Sequence, residues 1–352
     1  MKRLHFLSPF VSGLTLISLF FTACNPSATN HADSQEQQKQ DSIELAKKEE
    51  QKAIEEEKKR PRKAEDIQIE KKFQFEEYTL EDTYEYQDTT REFQWDKIKE
   101  RVAYIENFQR EPKKYAVIQN YRNMNRESPV VKNFVRNEYG LVSDTLGVER
   151  YQSAPLYVKG ETDEPTIYGR DGSLVELLSS DTIDMVTVKG ISFEGEWDIP
   201  KRYVKALSDS TTFHQIVVVD VKNQNIATLE RDSYTKWNVL SMNPSTTGKY
   251  NPPYGHDTPV GLFVIQEQKP KMFYYKDGTK DIGGFAPWAS RFTNGAYLHG
   301  VPVNKPRNSI IEWSASLGTT PRSHMCVRNA SSHAKFIYDW VKIKESLVVV
   351  ID

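Results

Sequence analysis

The residues best suited to covalent chemistry lie near the C-terminus, in the segment Ser323-His324-Met325-Cys326-Val327-Arg328. A thiol acts as a nucleophile when thiolate is populated, a base moves protons and hydrogen-bond donors stabilise the oxyanion. Cys326 has a histidine two residues before it and an arginine two residues after it. A helix is predicted to begin at the capping pair Ser331-Ser332, where it would lower the thiol pKa and offer backbone N–H groups. The pattern predicts a reactive cysteine, with a buried structural thiol as the alternative.

A second histidine, His299, ends an apolar strand and is followed by Gly300. Because the ordinary pKa of histidine lies near neutral pH, His299 is the predicted general base, unless it only forms a hydrogen bond within the β layer. His324 either shapes the pocket or transfers protons directly. Arg328 either lies beside the substrate or pairs with a carboxylate at the surface. A cysteine and a histidine brought together by folding would suit acyl transfer.

Several motifs together resemble the L,D-transpeptidases, the YkuD family. His299-Gly300 and Ser323-His324-x-Cys326-Val327-Arg328 resemble its catalytic signature. Thr258-Pro259-Val260-Gly261-Leu262-Phe263 resembles the strand entry that precedes the signature, and residues 246–248 lie where a Ser/Thr-x-Gly loop is expected. The resemblance covers residues 213–352. It implies a mainly β fold, with a β-sandwich catalytic domain that contains one or two helices.

The resemblance also implies a specific reaction on peptidoglycan stem peptides. Cys326 would attack the L-centred diamino acid in the third position of a stem tetrapeptide, release the terminal D-alanine and hold the stem as a thioester. An amine of a second stem would then take the acyl group, which gives a 3→3 cross-link. His299 would move protons while the Gly300 carbonyl orients its ring, and His324 would support the thiolate. The implied substrate-binding residues are Ser323, Trp288, Arg291 and Arg328, and no cofactor is implied.

The sequence departs from the family pattern beside the nucleophile. Met325 stands where Gly is usual, and residues 329–334 replace the usual Leu/Met-x-Asn-x-Asp-Ala. Two alternatives to the transpeptidase therefore stay open. One is an L,D-carboxypeptidase or exchange enzyme of the same fold, in which water or a free amino acid takes the acyl group. The other is a catalytically decayed lipoprotein that binds the cell wall.

The N-terminus has the features of a lipoprotein signal peptide over residues 1–23. Lys2 and Arg3 precede an apolar run of about a dozen residues, which is too short to span a bilayer. Phe21-Thr22-Ala23-Cys24 resembles a bacterial lipobox, which implies cleavage before Cys24 and its acylation. The predicted location is the cell envelope, with the protein anchored to a bacterial membrane and the catalytic domain outside the cytoplasm. An uncleaved anchor and an ordinary secreted signal are the alternatives.

Three segments are predicted between the signal and the catalytic domain. Residues 24–72 are rich in Lys and Glu and poor in apolar residues, which predicts a charged linker containing a solvated helix that Pro61 interrupts. Residues 91–145 are predicted to be helical, with apolar residues from Trp95 to Phe108 spaced by three and four. Residues 148–208 are predicted to form a small β-rich module, either a bacterial SH3-type barrel or a β-rich spacer.

Composition excludes some partners and sites. The 352 residues carry a formal net charge of −2, so no basic field favours nucleic acid. His256-Asp257 and His333 lack a metal-ligand spacing, so a solvated loop and a helix face are the better interpretations, and no metal site is predicted. Peptidoglycan stems and the membrane are the expected partners, and no protein partner is indicated.

Overall fold

The computed structural model describes residues 29–179 and 184–352. The chain divides into two units, one ending at Arg60 and the other comprising Pro61–Asp352. The predicted signal peptide and Cys24 lie outside the described residues.

In the first unit, the described residues form a long charged helix, α1 (Thr29–Lys59). Glu55 and Lys59 form an exposed ion pair four residues apart, with 2.7 Å between the carboxylate and the ammonium group. The helix ends before Pro61, as the position of that proline predicts. None of the helices in the described part of the chain combines the length and apolar composition needed to cross a bilayer.

The described residues of the second unit contain two further helices and 22 strands. The helices are α2 (Trp95–Phe108) and α3 (Ser331–Trp340). The strands are β1 (Gln68–Lys71), β2 (Thr83–Tyr86), β3 (Thr89–Glu92), β4 (Tyr115–Ile118), β5 (Val135–Arg136), β6 (Val142–Ser143), β7 (Ser153–Leu156), β8 (Ile167–Arg170), β9 (Leu174–Leu177), β10 (Met185–Gly190), β11 (Glu196–Pro200), β12 (Val204–Ala206), β13 (Gln215–Asp220), β14 (Asn225–Ser233), β15 (Lys236–Pro244), β16 (Gly261–Val264), β17 (Glu267–Tyr275), β18 (Ile282–Thr293), β19 (Ala296–His299), β20 (Val303–Asn304), β21 (Val327–Arg328) and β22 (Ser346–Ile351). The mainly β fold predicted from the sequence is confirmed.

A six-stranded sheet lies at the centre of the second unit, in the order β1-β15-β14-β13-β22-β16. β13 and β14 pair antiparallel as a hairpin, whereas the C-terminal strand β22 lies parallel to β13. Alternate residues of a strand face opposite sides of a sheet. Ile216 and Val218 therefore enter one hydrophobic core, and Val217 and Val219 enter another. Because both faces of β13 are buried in a core, its residues are apolar at successive positions.

One face of this sheet packs against a second sheet and helix α3. The second sheet has the order β17-β18-β19-β21, and β20 pairs with β18. Phe292, Leu298, Val327 and Ile337 meet the central sheet in a shared core of fully buried side chains. This packing of two sheets is the predicted β-sandwich, and it places the ends of β19 and β21 side by side.

The other face of the central sheet is covered by helix α2. Three of its apolar side chains are buried in the same core as the sheet: Ile98, Val102 and Ile105. The buried carboxylate of Glu106 accepts hydrogen bonds from Arg231 at 2.7 Å and from the Trp237 indole at 2.9 Å. Strand β1 extends the sheet by pairing parallel with β15. Residues 61–72, which the sequence assigns to the linker, thus lie within the compact unit.

Helix α2 is much shorter than the predicted helical segment 91–145. It ends at Phe108, and the buried strand β4 follows within seven residues. Pro112 lies between them, and a proline ring disfavours helical geometry at its own and the preceding position. The rest of the segment contains short strands and a 3₁₀ turn.

A five-stranded sheet forms the N-terminal module, in the order β11-β10-β9-β4-β12. All its neighbouring strands pair antiparallel. Its core is formed by apolar side chains of these strands and of β7 and β8, including Ile118, Leu156, Val175, Val188 and Ile199. The described part of residues 148–208 is β-rich, and β4 joins it from earlier in the chain. Its relation to SH3-type barrels stays a prediction.

Candidate active site

Two parallel strands bring the predicted nucleophile and base together. β19 ends at His299, and β21 begins directly after Cys326, with His299 opposite Arg328 in the register. The Asn329 backbone N–H donates to the His299 carbonyl at 2.9 Å, which continues the pairing past the end of the strands. Cys326 and His299 line the same cavity of about 590 Å³, here called the catalytic cavity. This strand pairing brings together Cys326 and His299, which are 27 positions apart in the sequence.

The Cys326 sulfur contacts backbone groups of the hairpin formed by β18 and β19. It lies 3.5 Å from the Gly295 carbonyl oxygen, and the Tyr297 backbone N–H donates to it. Burial raises the pKa of the Cys326 thiol to about 11, although the Tyr297 hydrogen bond and the Arg328 charge favour the thiolate. The sequence predicted a lowered pKa, and this prediction is wrong for the resting site because loss of solvation outweighs the nearby cation.

The expected contribution of a helix N-terminus is also absent at the sulfur. Helix α3 begins at Ser331, and the N–H groups of Ser331 and Ser332 donate to the backbone carbonyl and the carboxylate of Glu312. The Ser331 hydroxyl donates to the Ile311 carbonyl instead of capping the helix. Because Glu312 satisfies the helix N-terminus, these N–H groups are not available to an oxyanion at Cys326.

His299 is buried and has a defined tautomer. Its Nδ1 lies 2.6 Å from the Gly300 carbonyl oxygen, which can only accept, so Nδ1 carries the proton and Nε2 is free to take one. Burial lowers the pKa of His299 to about 4, with the Gly300 hydrogen bond opposing this effect and the Arg328 charge adding to it. The imidazole is therefore neutral at pH 7. A Cβ on Gly300 would lie 2.6 Å from the Ser331 hydroxyl, so only glycine fits there.

The turn before Cys326 is fixed by side-chain hydrogen bonds. The buried Ser323 hydroxyl donates to the Cys326 carbonyl, and the Thr258 hydroxyl donates to the Met325 carbonyl at 2.8 Å. Met325 has a φ of 88°, in the left-handed region that favours glycine. Glycine would adopt this conformation without the steric cost of a Cβ. Ser323 lines the catalytic cavity, and its implied contact with substrate stays a prediction.

His324 and Arg328 line the catalytic cavity in different ways. His324 is half exposed, and its Nδ1 lies 3.5 Å from the carboxylate of Asp277, which also lines the cavity. Arg328 is largely buried, and its Nε has no protein hydrogen-bond partner among the described residues. Arg328 therefore brings an unpaired positive charge close to the sulfur, whereas His324 lies at the rim.

Two predicted substrate-binding residues lie elsewhere. Trp288 packs against the Tyr338 ring of helix α3, with 5.6 Å between the ring centroids. Arg291 is buried and forms an ion pair with Asp171 of the N-terminal module, at 2.5 Å between Nη1 and Oδ2. Neither residue lines the catalytic cavity. The prediction that they line the groove is wrong, because β18 directs both side chains into packing interfaces.

His333 and His256, the two histidines considered for a metal site, pack against neighbouring side chains. His333 is fully buried, with Nε2 at 2.9 Å from the Ser241 hydroxyl, and burial lowers its pKa to about 3. The His256 ring stacks on Tyr139 with 3.8 Å between centroids. His333 thus lies on a buried face of helix α3, whereas His256 is half-buried in a loop whose Asp257 is exposed. Residues 29–179 and 184–352 contain no group of three side chains placed to hold a metal ion.

Comparison with known proteins identifies the domain that contains this site. Residues 214–351 match the YkuD family model, the L,D-transpeptidase catalytic domain. These residues form a YkuD-family domain. The family resemblance predicted from the motifs is confirmed for this part of the chain, which is about two fifths of its length. No curated protein sequence matches the chain.

Solved structures similar to the chain are distant in sequence. An L,D-transpeptidase from Mycobacterium smegmatis is 18% identical, with 51% of this chain and 82% of that chain covered and a TM-score of 0.33. L,D-transpeptidase 3 from Mycobacterium tuberculosis, in complex with a faropenem-derived adduct, is 17% identical, with coverage of 45% and 73% and a TM-score of 0.30. A fused Zn-dependent amidase/peptidase/peptidoglycan-binding protein from Clostridium acetobutylicum is 18% identical, with 40% of this chain covered and a TM-score of 0.29. This chain spans about half, 53%, of that protein.

Proposed function

We propose that the protein is a peptidoglycan L,D-transpeptidase with Cys326 as its nucleophile and His299 as its general base. The observation that carries the proposal is the pairing of β19 with β21, which brings both residues to one cavity within the YkuD-family domain. The donor would be a stem tetrapeptide and the acceptor an amine of a second stem, which gives a 3→3 cross-link.

The ionisation of the site supports proton transfer during attack. The thiol and the imidazole are both neutral at rest, since burial raises the pKa of Cys326 and lowers that of His299. His299 Nε2 takes the thiol proton as sulfur bonds to the substrate carbonyl carbon. The carbon–nitrogen bond to D-alanine then breaks, and the departing amine receives that proton from His299. Arg328 favours the negative charge that develops near the sulfur.

The second half of the reaction regenerates the enzyme. The acceptor amine attacks the thioester carbonyl and loses a proton to His299, and the sulfur leaves and is reprotonated. The new amide bond replaces the carbon–sulfur bond, so no external reagent is consumed. If water attacks instead of an amine, the same site is a carboxypeptidase.

The test uses the full chain and defined muropeptides. Mass spectrometry should show loss of D-alanine together with cross-linked dimers, and Cys326→Ala should show neither. Ser332→Ala is a matched control, because Ser332 contacts Glu312 at the helix N-terminus and does not line the catalytic cavity. Loss of D-alanine without dimers would indicate the carboxypeptidase. Absence of turnover by the unmodified chain would refute the enzymatic proposal.

We further propose that the chain is exported and anchored through acylated Cys24, which holds the catalytic domain in the cell envelope. The support is the lipobox-like segment Phe21-Thr22-Ala23-Cys24 behind an apolar run. Metabolic labelling with a fatty acid should label the wild-type chain, and Cys24→Ala should abolish the label. Labelling that persists in Cys24→Ala would contradict the proposal.

A further inference from the structure

Next to the catalytic cavity lies a second cavity of about 570 Å³ with a strongly basic lining, here called the basic cavity. Its five lining residues are Lys249, Thr320, Pro321, Arg322 and Arg328. None of the five carries a carboxylate, and three are cationic. Arg328 also lines the catalytic cavity, so the two cavities share one guanidinium group.

The cations of the basic cavity are held together by the backbone. The Arg328 N–H donates to the Thr246 carbonyl at 2.8 Å, and the Arg322 N–H donates to the Thr247 carbonyl at 2.9 Å. The Lys249 N–H donates to the Ser323 carbonyl at 2.9 Å. One stretch, residues 246–249, thus fixes both sides of the turn that carries Cys326. These bonds fix the backbone positions from which the three cationic side chains extend, with Lys249 and Arg322 exposed and Arg328 half-buried.

Within the described residues, none of these three cations has a carboxylate within ion-pair distance. The Arg328 Nε is buried without any hydrogen-bond partner. Arg322 lies close enough that its charge disfavours the charged form of Arg328. Positive charges that lie close together, one of them with a buried donor that forms no hydrogen bond, favour binding of an anion. The anion would accept a hydrogen bond from that donor and offset the charges.

We propose that the basic cavity binds a carboxylate of the donor peptide while its scissile carbonyl lies at Cys326. This inference rests on the proposed function and names the chemical class of its donor. The carboxylate is either the C-terminal one of the leaving D-amino acid or the side-chain one of the diamino acid. Donor peptides in which that carboxylate is amidated are poor substrates.

The first experiment measures the cationic field without relying on turnover. Iodoacetate and iodoacetamide differ in one negative charge and alkylate the same sulfur, so the thiolate population cancels in the ratio of their rates. The ratio is measured in the full chain, by mass spectrometry of the tryptic peptide that contains Cys326. The rate with iodoacetate divided by the rate with iodoacetamide should be about threefold or more higher in the wild-type chain than in Lys249→Met and Arg322→Met. The reason is that a positive lining concentrates anions.

Lys342→Met is the matched control, since Lys342 is exposed and lines neither cavity. Methionine keeps much of the apolar stem and removes only the charge. An equal ratio in the unmodified chain and in all three variants would overturn the proposal. A drop confined to Lys249→Met and Arg322→Met supports it.

The second experiment identifies the carboxylate. Three donor tetrapeptides are compared: one with both carboxylates free, one with an amidated diamino-acid side chain and one with a C-terminal D-alaninamide. Amidation of the bound carboxylate should lower kcat/KM about tenfold, the effect of losing a charge-assisted hydrogen bond. Lys249→Met and Arg322→Met should lose this discrimination, whereas Lys342→Met should keep it.

The two proposals fail in different ways. If the unmodified chain turns over all three donors equally, the carboxylate site is refuted while the enzyme stands. If it turns over none, the proposed function fails, and the alkylation ratio alone decides whether the cavity attracts carboxylates.

Discussion

The backbone strain at Met325 leads to a quantitative prediction about two substitutions. At a φ of 88°, an L-residue is disfavoured by about 1–2 kcal/mol because of its Cβ, whereas glycine is not. In ordinary backbone, glycine is less stable than alanine by about 0.5–1 kcal/mol because it loses more chain entropy. The difference between these two effects makes Met325→Gly more stable than Met325→Ala by about 0.5–1 kcal/mol. Both variants lose the packing of Met325 against the core around Val217, so this loss cancels in the comparison.

The assay is urea denaturation of the full chain followed by tryptophan fluorescence. The free energies of unfolding are compared between variants whose dependence on urea concentration has the same slope. His324→Gly and His324→Ala form the matched pair, because His324 lies in the same turn with a negative φ. That pair should show the ordinary order, with alanine more stable by about 0.5–1 kcal/mol. Met325→Ala equal to or more stable than Met325→Gly would refute the argument that the positive φ is strained.

Three further predictions concern the charges and the sulfur. Because the pKa of His299 is lowered to about 4, the base stays deprotonated down to that pH, and kcat/KM with a muropeptide donor should not show the fall near pH 6.5 that an unperturbed histidine would cause. Arg291→Met should destabilise the fold by about 3–5 kcal/mol in urea denaturation, since it leaves the buried carboxylate of Asp171 unpaired, and adding Asp171→Asn should recover part of the loss. A carbapenem should acylate Cys326 and add one drug mass to the intact protein, while Cys326→Ala shows no adduct; an unchanged mass of the unmodified chain would contradict an accessible nucleophile.

The sequence predicted the parts of the site that are local or follow strand patterns. Cys326 and His299 were identified because their neighbours form short motifs and because an apolar strand ends at His299. Gly295 and Tyr297 were missed because they contact the sulfur through backbone groups, which any residue type could provide. Their only signal was their position in the hairpin before His299.

Other differences arise from partners that are distant in sequence. Arg291 was expected at the substrate, but Asp171 lies 120 residues away and no local pattern links the two. The N-terminus of α3 was expected to serve the sulfur, but Glu312 from a preceding loop satisfies it. Helical periodicity places His333 on one face of α3, but it does not show that Phe75 and Ser241 cover that face. Burial and charge pairing decide the pKa values, and both depend on these long-range contacts.

The N-terminal module contacts the strand that positions the base. Arg291 of β18 pairs with Asp171, and the Val264 N–H donates to the Gly172 carbonyl at 3.0 Å. Gly172 approaches β18 so closely that a Cβ there would lie 2.0 Å from the Phe292 carbonyl oxygen. β18 pairs with β19, which ends at His299. The N-terminal module therefore helps to hold the strand that positions the proposed base. The YkuD family model covers Cys326 and His299, whereas the packing that holds His299 in place includes residues outside the matched range.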